Sequence, residues 1–123
     1  MKPKYPLLNV FALIDSGNYW FSAPSRSYRS VMNVFAKTET PKTPDEAVAF
    51  ILSGIKTLTE RNFVQTVLQW GSGADVYGVI YDGYSWYIKF MVDDDGLQEI
   101  SFHVAEKEMI TISGMKIPAG ELK

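Results

Sequence analysis

The spacing of apolar residues changes at Gly73, from recurrence at three and four positions before it to alternation after it. Alternation is typical of strands with one buried face, and the longer spacing is typical of amphipathic helices. Three strands are therefore predicted, over residues 75–81, 86–92 and 97–104. The turns between them are Asp82-Gly83, which favours the positive φ of a tight hairpin, and the acidic segment 93–96. The second half of the chain predicts an antiparallel meander, with a further short strand at 108–112.

The part of the chain before Gly73 predicts helices, over residues 6–16, 26–37, 44–54 and 60–70. Thr43 is a suitable N-cap with Pro44 at the first helical position, and Gly54 is expected to end or kink the helix that follows. The segment 26–37 also permits a strand, and the aromatic segment 18–22 is short enough for one. Helices followed by a meander define an α+β domain, with N-terminal helices packed on a C-terminal antiparallel sheet.

Length and composition restrict the classes of protein to consider. The 123 residues suit a single domain over 1–123, with 118–123 as a loose tail. The absence of cysteine removes disulfide scaffolds, zinc fingers and thiol catalysis, and one histidine cannot build a His-rich metal site. No apolar run reaches the ~18–20 residues of a membrane span, and Asn9 and Asp15 interrupt the segment that would resemble a signal peptide. A cytoplasmic protein without metal, cofactor or membrane partner is expected.

Short motifs in the second half follow one another in a recognisable order. Phe63 is followed by Asp75-Val76-Tyr77, then by Tyr87-Ile88-Lys89-Phe90, and finally by Ser101-Phe102. The order and spacing of these motifs resemble the MqsR family of type II toxins, which carries a helix with a central phenylalanine, then DVY, Y-x-K and SFKEK strands. The first half is similar to that family only in its layout of helices and a short strand.

The resemblance implies a RelE-like ribonuclease architecture and cleavage of mRNA without a metal. It also implies a cognate antitoxin protein, encoded beside the toxin, with which it represses its own transcription. Tyr87 and Lys89 match the family motif unchanged. Gln65 and His103 stand where the family has lysines, and Ala74 stands at its glutamine. The net charge of −2 also differs from the usual basic character of the family.

Cleavage of RNA without a metal needs a base for the 2′-hydroxyl, an acid for the leaving 5′-oxygen and a cation for the phosphate. His103 is the only side chain of a type that titrates near neutral pH. Strand alternation places it on one face with Ser101, while Tyr87 and Lys89 share a face of the preceding strand. The opposite face of the last strand takes Ile100, Phe102 and Val104. A catalytic site of His103, Tyr87 and Lys89 is predicted, against a surface histidine, a cross-strand aromatic pair and a solvated lysine.

Four further residues are predicted to contact RNA. Arg26 and Arg29 belong to a basic cluster, completed by Lys37, with aromatic residues nearby. Tyr77 offers a ring for base stacking, and Gln65 occupies a lysine position of the family. Ordinary surface is the alternative for the arginines, and packing against the helices is the alternative for Tyr77.

Two functions stay open at this stage, with an accessory domain unrelated to toxins as a third, weaker option. The first is a toxin that cleaves mRNA. The second is a catalytically degenerate relative that binds a protein, as a regulator, an immunity protein or a phage-borne inhibitor. The acidic balance and the changes at Gln65 and Ala74 favour the second, and the histidine on the last strand favours the first.

Overall fold

The computed structural model describes residues 2–69 and 71–120. The helices are α1 (Leu7–Asp15), α2 (Pro24–Phe35) and α3 (Pro44–Lys56). The strands are β1 (Tyr19–Phe21), β2 (Phe63–Gln69), β3 (Ser72–Tyr81), β4 (Tyr84–Asp93), β5 (Gly96–Val104), β6 (Met109–Ile110) and β7 (Lys116–Ile117). The predicted α+β class is confirmed, and α2 resolves the ambiguous segment as a helix. Among the described residues, no helix has the length and apolar character that crossing a bilayer requires.

The main sheet has five strands in the order β1-β5-β4-β3-β2, and β2 to β5 are antiparallel neighbours. The three predicted strands of the meander are confirmed. The expectation of a purely antiparallel sheet is wrong, because β1 pairs with β5 in parallel. Leu97 donates its amide to the carbonyl of Asn18, and a Cβ on Gly96 would lie 2.3 Å from that same oxygen. Gly96, at φ 113°, therefore allows β1 to approach β5.

The segment 60–70, predicted as a helix, forms a single 3-10 turn at Glu60–Asn62 and then β2. Asn62 closes the turn by accepting the backbone N–H of Thr59 at 3.0 Å. After it, the β-branched residues favour an extended chain that pairs with β3. These residues are Val64, Thr66 and Val67. Gly71, at φ 81°, lies in the turn between β2 and β3. Trp70 lies outside the described residues.

The helices cover one face of the sheet, and the main core lies between them. Phe50 of α3 packs edge-on against Trp86, and Phe102 lies beside both rings. Gly54 does not end α3, which continues to Lys56. A Cβ on Gly54 would lie 3.0 Å from the Phe102 ring, so the glycine lets α3 lie close to the sheet. The predicted cap is confirmed: Thr43 and Glu46 form a reciprocal capping box.

A small ribbon covers part of the opposite face. The predicted strand at 108–112 is only β6, which pairs antiparallel with β7 in a separate sheet. Met109 and Ile117 of this ribbon lie over Gly78, where a Cβ would come within 2.8 Å of Met109. The amide of Gly120 donates to the carbonyl of Ala105 at 2.7 Å, so the tail is held as far as that residue. Residues 121–123 of the expected loose tail lie outside the described residues.

Candidate active site

Register between β4 and β5 brings the three predicted catalytic residues to one place. Tyr87 lies directly opposite His103, and Lys89 lies directly opposite Ser101. The Tyr87 and His103 rings stack with centroids 4.8 Å apart and planes 11° apart. All four side chains line one groove of about 670 Å³, on the sheet face opposite the helices. The sequence-based prediction that these residues share a face is confirmed.

A bulge in β5 lets Glu99 face the helices while Ser101 and His103 face the groove. The register shifts between Lys89 and Phe90, which leaves Ile100 as an extra residue in β5. Glu99 therefore points to α2, where it accepts from Ser27, and Ile100 packs on the other face with Ala74 and Met91. The prediction that Ile100 shares the face of Phe102 is wrong for this reason. Without the bulge, Glu99, Ser101 and His103 would all lie on one face.

Hydrogen bonding assigns the tautomer of His103. Its Nδ1 lies 2.8 Å from the carbonyl oxygen of Val104, which can only accept a hydrogen bond, so Nδ1 carries the proton. In the neutral ring the lone pair is then on Nε2. That atom lies 4.0 Å from a carboxylate oxygen of Glu106, and 29% of the His103 side chain is exposed. In that tautomer Nε2 is the ring atom that can accept a proton, on a side chain that lines the groove.

Tyr87 and Lys89 supply the other chemistry of the groove. Burial raises the pKa of the Tyr87 phenol, which therefore stays protonated and can donate a hydrogen bond at neutral pH. Lys89 is half-buried and brings a positive charge to the same wall. The groove thus joins a proton acceptor, a hydroxyl donor and a cation.

Gln65 reaches the same groove from β2. Its position was inferred only from the resemblance, and the structure places it with the predicted catalytic residues. A charged rim of the groove was not predicted from the sequence; it is formed by Glu106, Lys107 and Glu108 where the chain leaves β5. The run of charges directly after a strand was the available signal. Carboxylates and a lysine alternate there, so the rim is not uniformly basic.

Tyr77 does not offer its ring to a ligand. It is fully buried on the helix-covered face, stacked on Phe90 at 5.3 Å and edge-on to Phe63 at 5.6 Å. The predicted base stacking on Tyr77 is therefore wrong for this structure, and its packing alternative is confirmed. Among the described residues, its hydroxyl has no hydrogen-bond partner.

Arg26 and Arg29 lie on α2, away from the main groove. Both line a concave surface of about 460 Å³ on that helix. Arg26 also lines a second concave surface, of about 390 Å³, together with His103. Arg26 therefore shares a concave surface with His103, whereas Arg29 lines only the surface on α2.

Asp75, the first residue of the DVY motif, is buried and hydrogen-bonded within the fold. It is fully buried, and its carboxylate accepts the amides of Lys4 at 3.0 Å and Tyr5 at 2.9 Å. The hydroxyl of Thr66 donates to it at 2.6 Å. This carboxylate holds the N-terminal segment against the sheet and does not face the groove.

Within residues 2–69 and 71–120, no group of three or more histidine and carboxylate side chains is arranged to hold a metal ion. No protein-family model and no curated protein matches this sequence.

Proposed function

We propose that the groove on β2, β4 and β5 is the active site of a metal-independent endoribonuclease that cleaves mRNA. The observation that carries this proposal is the meeting of His103, Tyr87 and Lys89 in one groove. Each of them supplies one of the elements that metal-free cleavage needs. As part of the same proposal, the fold is of the RelE-like ribonuclease type, and the protein is the cytoplasmic toxin of a type II toxin–antitoxin pair.

In this mechanism, Nε2 of His103 takes the proton of the 2′-hydroxyl, and the 2′-oxygen forms a bond to the adjacent phosphorus. The bond from phosphorus to the 5′-oxygen breaks, and the hydroxyl of Tyr87 supplies the proton that the leaving oxygen needs. Lys89 stabilises the negative charge that accumulates on the phosphoryl oxygens. The products are a 2′,3′-cyclic phosphate and a 5′-hydroxyl.

The test is cleavage of mRNA by the purified protein in the presence of EDTA. His103→Ala should lower the rate by about 10²–10⁴-fold, the usual effect of one general acid or base. Tyr87→Phe should lower the rate by a similar factor, because it removes the hydroxyl of the general acid while the ring can still pack on His103. Lys89→Ala should also lower the rate and leave an activity that depends less on salt.

Lys56→Ala is the matched control for Lys89→Ala. Lys56 lies at the end of α3, where it pairs with Asp15, and its removal gives the same change in net charge. It should leave the rate unchanged. Cleavage that survives His103→Ala, or that stops with EDTA, would exclude this mechanism.

A protein-binding relative without catalysis is the second candidate. The observation that favours it is apolar exposure on the outer strands: Leu68 of β2 is 84% exposed and Trp20 of β1 is 40% exposed. Exposed apolar and aromatic side chains are typical interface anchors. Failure of the wild-type protein to cleave any RNA, together with tight binding of the product of a neighbouring small gene, would decide for this candidate.

A further inference from the structure

Three concave surfaces lie side by side on the molecule, and neighbouring surfaces share lining residues. The surface on α2 shares Arg26, Ser30 and Asn33 with the second surface. The second surface shares His103 and Glu106 with the catalytic groove. The three surfaces therefore adjoin one another, from the outside of α2 to the groove that holds the proposed active site.

The chemistry of the α2 end suits phosphate groups. Arg26, Arg29, Ser30 and Asn33 follow the i, i+3, i+4, i+7 spacing of one helix face. The opposite face of α2 packs into the core through Val31 and Phe35. All four outward side chains can donate hydrogen bonds. Within residues 2–69 and 71–120, neither guanidinium makes an ion pair, and the described residues that line the α2 surface include no carboxylate.

The path from the α2 surface to the catalytic groove passes around the edge of the sheet. β1 pairs with β5 only from Leu97 to Glu99, and the amide of Ser22 makes the last bond, to the Glu99 carbonyl. Among the described residues, the β1 side of β5 from Ser101 onward is therefore the sheet edge. The second surface lies at this edge, lined by residues of α2 on one side and by His103 and Val104 on the other. A flexible single strand can make that turn, whereas a duplex resists bending on this scale.

We infer that α2 carries the phosphate-binding part of an extended single-stranded RNA site, which leads around the β5 edge into the catalytic groove. Arg26 and Arg29 bind backbone phosphates outside the scissile one, and so contribute affinity without reading sequence. This inference rests on the proposed function, since it names the substrate as single-stranded RNA longer than the groove itself.

The experiment is fluorescence anisotropy with a labelled, fully 2′-O-methylated 12-nucleotide RNA. This probe lacks the attacking 2′-hydroxyl, so its binding is measured without cleavage. Each phosphate contact on a single strand contributes about −0.7 to the slope of log K against log salt concentration. The double variant Arg26→Ala/Arg29→Ala should bind at least tenfold more weakly at low salt, with a slope less steep by about 1.4.

The matched control is Arg61→Ala/Lys56→Ala, which removes the same number of charges at residues that line none of the three surfaces. It should leave both the affinity and the slope near the wild-type values. Equal effects of the two double variants would overturn the inference, because they would show only a long-range effect of net charge. Failure of the wild-type protein to bind the 12-mer would also overturn it.

The two proposals fail in different ways. Loss of mRNA cleavage in His103→Ala, with no effect of the Arg26 and Arg29 changes on probe binding or slope, would leave the proposed function in place and remove the α2 path. Binding of the probe with the expected slopes, but no cleavage by the wild-type protein, would retain the path and remove the catalytic function.

Discussion

Tyr77 and Tyr87 show how the face of a strand decides what one residue type does. Tyr77 of β3 lies under the helices between two phenylalanine rings, and Tyr87 of β4 lies in the groove on a histidine ring. Burial raises the pKa of both phenols. Only Tyr87 lies where a ligand can use its proton. Alternation along each strand separates the two faces, but it does not show which face the helices cover.

The buried hydroxyl of Tyr77 gives the first stability prediction. Among the described residues it has no hydrogen-bond partner, and an unsatisfied buried polar group costs about 1–3 kcal/mol. Tyr77→Phe should therefore keep or raise the free energy of unfolding, measured by urea denaturation. Tyr84→Phe, at a half-buried position, is the control and should change it by less than about 0.5 kcal/mol. A clear loss of stability in Tyr77→Phe would show that the hydroxyl is satisfied in solution.

Glu99 is the second buried group whose environment has a measurable consequence. It is 1% exposed, Ser27 donates to one carboxylate oxygen at 2.8 Å, and the other oxygen has no partner among the described residues. Burial raises the pKa of Glu99 from 4.5 to about 7, and the Ser27 bond offsets only part of this effect. The folded protein therefore holds a proton on Glu99 at a pH where the unfolded chain has released it.

This linkage predicts that stability falls as pH rises from about 4.5 to about 7 and then levels off. The size of the fall is about 3 kcal/mol, since each unit of pKa difference corresponds to about 1.4 kcal/mol. Glu99→Gln should remove this component and be more stable than the wild type above pH 7. Urea denaturation between pH 5 and 8 tests it, with the exposed Glu39→Gln as control. An unchanged pH profile in Glu99→Gln would contradict the prediction.

At the scale of elements, the sequence was sufficient to predict the features that depend on residues close together in the chain. The β3–β4 hairpin depends on Asp82 and Gly83, which take φ values of 53° and 83° as the dipeptide predicts. The cap of α3 depends on Thr43 and Glu46, only three residues apart. Because β4 and β5 are also joined by a short turn, the common face of Tyr87 and His103 could be predicted as well.

Elements that depend on distant partners could not be predicted in the same way. The apolar spacing of Phe63 and Val67 fits a helix, and only pairing with β3 makes the segment a strand. The parallel pairing of Tyr19 with Leu97 joins residues far apart in the sequence, and no local pattern indicates it. The bulge at Ile100 has no glycine or proline to mark it, although it determines which β5 residues face the groove.

At the scale of the whole molecule, net charge describes the surface poorly. One of the 14 acidic residues, Glu99, is buried with its pKa raised to about 7, so the formal charge count overstates the negative charge near neutral pH. The basic side chains of Arg26, Arg29 and Lys89 line concave surfaces, where they bring positive charge to particular places. A net charge of −2 is therefore compatible with a local site for an anionic strand.

Asp75 of β3 also fixes the N-terminal segment that leads into α1, and so joins residues about 70 positions apart in the sequence. Its carboxylate accepts from Lys4, Tyr5 and Thr66, and the hydroxyl of Tyr5 donates to the carbonyl of Gly73 at 2.5 Å. The DVY aspartate is thus expected to act on stability and not on catalysis.

Asp75→Asn should lower the free energy of unfolding by about 1–3 kcal/mol, because an amide can accept on only one of the two atoms that now receive hydrogen bonds. The exposed Asp94→Asn is the control and should have almost no effect in urea denaturation. In a double-mutant cycle, Asp75→Asn and Thr66→Val should couple by about 0.5 kcal/mol or more, since Thr66 donates directly to the carboxylate. Additive effects of the two changes would contradict this bond.

Once the fraction of folded protein is accounted for, the specific rate of RNA cleavage should stay at the wild-type value in Asp75→Asn, because the carboxylate lies outside the groove. A large loss of specific rate would instead place the DVY aspartate in the active site.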